Sequence, residues 1–108
     1  MSYKVLSIPP FDRQLKRLLK KYPSLKKEIR ELSDSLEQHP AQGAPIGRGC
    51  YKIRLAIASK GKGKSGGARI ITHLHIAKTT VYLLSIYDKS EQPDISDTEI
   101  KMLVRLVE

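Results

Sequence analysis

Residues 50–59 read CYKIRLAIAS. Tyr51, Ile53, Leu55 and Ile57 alternate with Lys52, Arg54, Ala56 and Ala58, the period of two that marks a half-buried β-strand. One face of the strand is apolar; the other carries Lys52 and Arg54, about 7 Å apart at ~3.4 Å of rise per residue. An apolar strand face needs a second layer to cover it, and the preceding residues supply one. Phe11, Leu15, Leu18, Leu19 and Tyr22 recur at helical spacing, with Arg13, Lys16, Arg17, Lys20 and Lys21 on the other faces, until Pro23 closes the helix. Ser24 is placed to cap a second helix, in which Leu25, Ile29, Leu32 and Leu36 repeat the pattern up to His39-Pro40. The two helices predict a hairpin.

Tyr3–Ile8 predicts a short strand, stopped by Pro9-Pro10 because proline cannot donate to a ladder. The stretch HPAQGAPIGRG over residues 39–49 is rich in turn formers and leads into the strand at Cys50–Ser59. A glycine- and lysine-rich loop, residues 60–67, joins a third strand, Ala68–Ile76. A turn near Lys78-Thr79 then joins a fourth, Val81–Tyr87. Ser96-Asp-Thr-Glu99 fits a capping box and predicts a last helix with an apolar stripe at Ile100, Leu103, Val104 and Val107. The expected fold is α+β in the order β-α-α-β-β-β-α: two N-terminal helices packed on a mainly antiparallel four-stranded sheet, with a short C-terminal helix. The opposite sheet face is expected to be free and to bear the cations. The sequence leaves open whether the last helix lies on the sheet or on a partner. It also leaves open the register of the last two strands. A two-residue turn at Lys78-Thr79 sets Arg69 opposite Asp88, whereas a turn one residue different sets it opposite Tyr87 or Lys89.

The length of 108 residues allows one domain with a modest core, and 40% hydrophobic with 29% charged residues is a folded composition. Net charge is +9 and unevenly spread. Between Glu37 and Asp88 there is no acidic residue, and Arg48, Lys52, Arg54, Lys60, Lys62, Lys64, Arg69 and Lys78 place +8 in that window. Residues 1–37 contribute +4 and residues 88–108 contribute −3. A polarised positive field attracts polyanions, which makes nucleic acid the first partner to consider and an acidic protein the second. The lone cysteine excludes an internal disulfide, and no apolar run approaches the ~18 residues of a membrane span. With no signal-peptide pattern at the N-terminus, a cytoplasmic protein without membrane contact is expected.

Several patterns invite a chemistry. Ala58 followed by Gly63-Lys64-Ser65 resembles a relaxed phosphate-binding loop, but that mechanism needs a helix immediately after the lysine, and Gly66-Gly67 and a strand follow instead. The loop is read as a mobile basic segment in which Lys60, Lys62 and Lys64 contact a phosphate backbone without reading bases. His73 and His75 share a strand face, yet no third ligand lies at a convincing spacing, so no metal is expected and His73 is assigned to the substrate face. Cys50 is read as a small strand residue. The favoured constellation is Lys52, Arg54, Arg69 and Lys89. Clustered cations suit phosphoryl transfer, where negative charge builds on the equatorial oxygens. Arginine is the fixed clamp and lysine the proton carrier.

Cys50-Tyr-Lys-Ile-Arg-Leu55, Gly66-Gly-Ala-Arg-Ile70 and Leu84-Ser-Ile-Tyr-Asp-Lys-Ser-Glu91 before a final helix together resemble a RelE/HigB-type toxin of bacterial toxin-antitoxin pairs. The resemblance covers nearly all of residues 1–108 and implies a single RelE-like toxin domain. It implies a ribosome-dependent endoribonuclease that enters the A site and cuts messenger RNA without metal or other cofactor, the RNA's own 2'-hydroxyl attacking the adjacent phosphate. It implies as partners the ribosome, messenger RNA and a cognate antitoxin, with oligomers formed only through the antitoxin complex. The family's strand-borne basic pair falls on Lys52 and Arg54, its phosphate-binding arginine on Arg69 and its later basic residue on Lys89. Position 54 is Arg where Lys is usual, so the proton acceptor moves to Lys52. Residues 90–96 hold no aromatic to match the family's stacking tyrosine, which leaves Tyr87 for that role. The competing readings are a ParE-like toxin acting on DNA gyrase, whose signature would be absence of the basic strand cluster, and a basic RNA-binding module without activity.

Overall fold

The computed structural model describes residues 2–61 and 63–108; Lys62 lies outside them. The chain runs β1 (Lys4–Ser7), α1 (Pro9–Lys21), α2 (Leu25–Gln38), β2 (Ala44–Gly47), β3 (Cys50–Leu55), β4 (Ala68–His75), β5 (Thr80–Asp88) and α3 (Asp97–Arg105). The α+β class stands, but the sheet has five strands in the order β1-β5-β4-β3-β2. The added strand is β2, inside the stretch read as turn. It carries Pro45 and pairs irregularly with β3 at the sheet's edge, the one place where a proline costs no ladder bond. β1 runs parallel to β5, and the other neighbours are antiparallel.

α1 begins at Pro9-Pro10, where a missing N–H is harmless. Phe11 and Leu18 are buried beneath it, and Leu25 and Leu36 beneath α2. α1 packs on β5 and α2 on β1. Gln14 of α1 closes a gap in the sheet: β1 pairs with β5 only as far as Leu83, and the Gln14 Oε1 accepts from the next free amide, Ile86 N, at 2.9 Å and from the Ser85 hydroxyl at 3.1 Å.

The strand expected over 50–59 ends at Leu55, and residues 58–60 form one 3-10 turn. Its amides are held by α2, since Ala58 N donates to the Glu28 carboxylate at 2.7 Å and Ser59 N to the Ser24 hydroxyl at 2.9 Å. Ser24 therefore does not cap α2 with its side chain; the hydroxyl is spent on this long-range tie. In α3 the serine half of the capping box is present, with Glu99 N donating to the Ser96 Oγ at 3.1 Å.

Two irregularities set the register of β4 and β5. The connection is four residues, 76–79, with Thr79 in the left-handed region at φ 48°. A bulge then moves the partner of Thr72 to Leu83, where Ile71 faces Ser85. As a result Arg69 faces Tyr87. Ile53, Ile70 and Ile86 form one cross-strand row on the face covered by α1 and α2, and Arg54, Arg69 and Tyr87 form the adjacent row on the other face.

That second face is not free, contrary to expectation. Ile71, one pair along from Arg69, is fully buried. The segment after β5 comes back across this face, where Asp94 meets Lys52, and α3 follows with Ile100, Leu103 and Val104 buried and Val107 buried just beyond it. Packing against β5 gives the helix stripe its partner within the fold.

Candidate nucleic-acid interface

The register assembles the site. Arg54, Arg69 and Tyr87 stand directly across β3, β4 and β5, and Lys52 lies in the next row beside Ile71. Cross-strand neighbours have Cβ atoms about 5 Å apart, and like charges at that separation destabilise a sheet. Here two arginines are paired.

Arg69 is 4% exposed. Its Nη1 donates to the backbone oxygens of Lys64 at 2.9 Å and Ala68 at 3.1 Å, and among the described residues it has no carboxylate partner. Carbonyl oxygens orient the guanidinium without neutralising it. A buried cation of this kind is costly unless a counter-charge arrives. Gly67 brings the holding loop this close: a Cβ there would lie 2.1 Å from the Leu55 carbonyl oxygen. Arg54 is exposed and has no ion pair among the described residues. It lines, with Lys52 and Lys64, an open cavity of about 810 Å³ whose far wall is Glu28, Glu31 and Leu32 of α2.

Lys52 is engaged. Its Nζ contacts the Asp94 Oδ1 at 2.7 Å. That bond, with a second from Ile95 N, holds the Asp94 carboxyl below its ordinary range. The Tyr87 hydroxyl lies 3.5 Å from the same Oδ1. Burial first, then the nearby Asp94, push the Tyr87 phenol up to about 12, with Arg69 opposing. Tyr87 therefore stays a donor at neutral pH.

The other expected contacts divide. Lys89 is exposed one residue beyond β5, its amide donating to Gly67 O at 3.1 Å, so it stands at the same sheet end as Arg69. Lys64 is exposed at the cavity's rim. Lys60, expected among the mobile phosphate contacts, has instead a side chain only 8% exposed, paired with the fully buried Asp88. Its Nζ also reaches the Ser90 Oγ at 2.9 Å and sits 5.7 Å from the centre of the Tyr22 ring, whose hydroxyl donates to Asp88 at 2.7 Å. Burial raises the Asp88 carboxyl, but Lys60, Ser90 and Tyr22 outweigh it and hold it well below the usual carboxylate range. This buried pair pins the 58–60 turn to the end of β5. The expectation for Lys62 falls outside the described residues. His73 lies four residues along β4 from Arg69, about 13 Å away. It stacks on Tyr82, 3.7 Å from the Cys50 sulfur, in a separate cavity with Arg48, Lys101, Val104, Arg105 and Glu108. Burial lowers the His73 imidazole pKa. Among the described residues no three His, Cys, Asp or Glu side chains gather as a metal site, and no helix is long and apolar enough to cross a membrane.

Asp94 was not anticipated. The acidic run after Asp88 is visible as charge, but its contact with Lys52 spans 42 residues and has no local signal.

The sequence pattern of the RelE toxin of the RelE/RelB toxin-antitoxin system matches residues 5–107. The chain belongs to the RelE toxin family. Its fold is similar to that of E. coli toxin RelE in the free state, solved with two arginines replaced by alanine (TM-score 0.61, 19% identity, all of both chains). It is also similar to the toxin-antitoxin complex RelBE2 from Mycobacterium tuberculosis (TM-score 0.61, 20% identity, 82% of this chain and 99% of that one). A metal-bound toxin from Helicobacter pylori matches at TM-score 0.54 and 17% identity, over 85% of this chain and 99% of the other. In this RelE-family chain the fold sets two arginines and a tyrosine in one row with a lysine beside them, and Arg69 is the buried arginine of the row, without a carboxylate partner among the described residues.

Proposed function

We propose that this toxin is a ribosome-dependent endoribonuclease that cuts messenger RNA in the A site by metal-independent attack of the RNA's own 2'-hydroxyl. The observation that carries the reading is Arg69: a buried guanidinium, aimed by two carbonyl oxygens and facing a second arginine, suits a phosphate whose charge increases in the transition state. In the reaction the 2'-oxygen bonds to the adjacent phosphorus and the bond from phosphorus to the 5'-oxygen breaks. Lys52, once free of Asp94 and neutral, takes the 2'-hydroxyl proton; Lys89 delivers a proton to the departing 5'-oxygen. Arg69 and Arg54, which do not lose their protons, hold the equatorial oxygens. Tyr87 was expected to stack on a base, but at 4% exposure its ring has no free face; its hydroxyl, turned toward Asp94, donates to the bound nucleotide instead. The products are a 2',3'-cyclic phosphate and a 5'-hydroxyl.

Placement on the ribosome rests on family membership and on the basic field. Binding should weaken with salt by ~0.7 to 0.9 in log K per phosphate contact per decade. An acidic antitoxin covering the residue 48–89 face is the expected protein partner, and its co-expression should restore growth. The direct test is a programmed ribosome carrying a single 2'-deoxy substitution at the cut site, with and without chelator. Cleavage of the deoxy message, or its loss on chelation, would refute this mechanism.

A further inference from the structure

The segment from the end of β5 to the first residue of α3 is acidic, and its carboxylates at 91, 94 and 97 each meet a cation from elsewhere in the fold. Glu91 contacts Arg17 at 3.0 Å and Lys21 at 3.4 Å, both on α1. Asp94 contacts Lys52 at 2.7 Å on β3. Asp97 contacts Arg48 at 3.1 Å in the turn between β2 and β3, and Lys101 at 3.7 Å in its own helix. Arg48 is held left-handed, at φ 57°, between Gly47 and Gly49, which also have positive φ. An arginine in that region is strained, because its Cβ crowds the following carbonyl oxygen. The turn tolerates that strain while its guanidinium meets the segment.

These contacts hold weakly. Asp94 and Asp97 are two-thirds exposed, and water and salt screen an exposed pair. The cations they cover form a line from α1 round to β3, and a single-stranded RNA backbone presents negative charges in such a line. We propose that residues 91–97 are an internal competitor for RNA: Glu91 and Asp97 occupy the places that backbone phosphates take on Arg17/Lys21 and Arg48, and Asp94 occupies the place of the reacting 2'-hydroxyl on Lys52. The segment then lifts from β3 when RNA seats. This inference rests on the RNA reading above and adds to it. While Asp94 holds Lys52, that ammonium is a donor and no base, so the closed segment keeps the isolated toxin inactive. Seating of RNA releases the base at the moment it is needed.

The test compares two variants of equal charge. Glu91→Gln/Asp94→Asn/Asp97→Asn neutralises the segment, and Asp12→Asn/Asp34→Asn/Glu37→Gln neutralises three exposed acids on α1 and α2 away from the cavity. Affinity for a non-cleavable 2'-O-methyl RNA heptamer is measured by anisotropy at several salt concentrations. Hydrogen exchange across residues 92–97 is followed in the wild type with and without that RNA. The segment variant should bind at least tenfold more tightly than the control variant, and RNA should speed exchange over 92–97. Equal affinities, or slower exchange with RNA bound, would overturn the competitor. Equally tight binding of a polyglutamate of matched charge would overturn RNA as the occupant and assign the line of cations to an acidic protein. If the triple variant does not fold, Asp94→Asn alone should still bind severalfold more tightly than wild type, and an unchanged affinity would overturn the proposal. Should no form of the protein bind RNA at low salt while all are folded, the RNA reading itself fails, an outcome distinct from equal binding by the two variants.

Discussion

Replacing Arg69 with methionine should separate stability from activity. The side chain is 4% exposed and carries a charge with no carboxylate partner among the described residues, so removing it relieves a desolvation cost of several kcal/mol. Against this, two charge-assisted hydrogen bonds to the Lys64 and Ala68 carbonyls are lost, at about 1.5–3 kcal/mol each. Repulsion from Arg54 is also lost. Two unit charges 5 Å apart at an effective dielectric of 20 repel by ~3 kcal/mol, and exposure of Arg54 reduces this to about 1 kcal/mol. The terms nearly cancel, so Arg69→Met should unfold within about 1 kcal/mol of wild type in urea. Its cleavage rate on saturated ribosomes should fall at least a hundredfold, the ~3–4 kcal/mol effect of removing a preorganised donor from a transition state. A stability loss of several kcal/mol would make Arg69 a structural element. Cleavage within tenfold of wild type would remove it from the phosphate site.

The buried pair behind the site should respond in the opposite way. Lys60→Met leaves Asp88 buried without its cation and should cost about 3–5 kcal/mol, while leaving the affinity of the folded protein for RNA within severalfold of wild type; a large affinity loss at full stability would return Lys60 to the interface. Because the folded Asp88 carboxyl is held below its unfolded value, its stabilisation is fully present above about pH 4 and is lost as pH falls through the lower folded value. Urea titrations of wild type from pH 6 to pH 2 should show this decline, and Asp88→Asn should flatten it. Lys52→Ala should slow the chemical step with a defect that shrinks as pH rises and hydroxide takes over; a defect constant from pH 6 to 10 would argue against a proton acceptor at that position. Gln14→Ala strips Ile86 N of its acceptor and should cost about 1–3 kcal/mol, measured by urea unfolding.

What could be read from the sequence, and what could not, divides by the range of the contact that decides it. The periods of α1, α2, β3 and α3 are written in neighbouring residues, as is the shared face of Lys52 and Arg54, and these carried through to the fold. Arg69 and Tyr87 meet through a four-residue connection and a bulge at Thr72, and neither has a composition that announces its length. β2 pairs irregularly through Ala44, Pro45 and Gly47, residues that read as turn because an edge strand needs so little of a strand's usual chemistry. The surroundings of Lys60 are the instructive case. In sequence it is one of three lysines spaced among glycines, a pattern that describes a solvated loop; its partner Asp88 is 28 residues away and reads locally as the polar end of a strand. Burial joins the two, and burial is a property of how β5 ends against Tyr22 rather than of either residue's neighbours. The acids at 91, 94 and 97 show the same limit with a functional consequence. Their charge was legible, and so was the basic window they oppose, but only the path of the chain back across β3 turns two opposed charge runs into one interface.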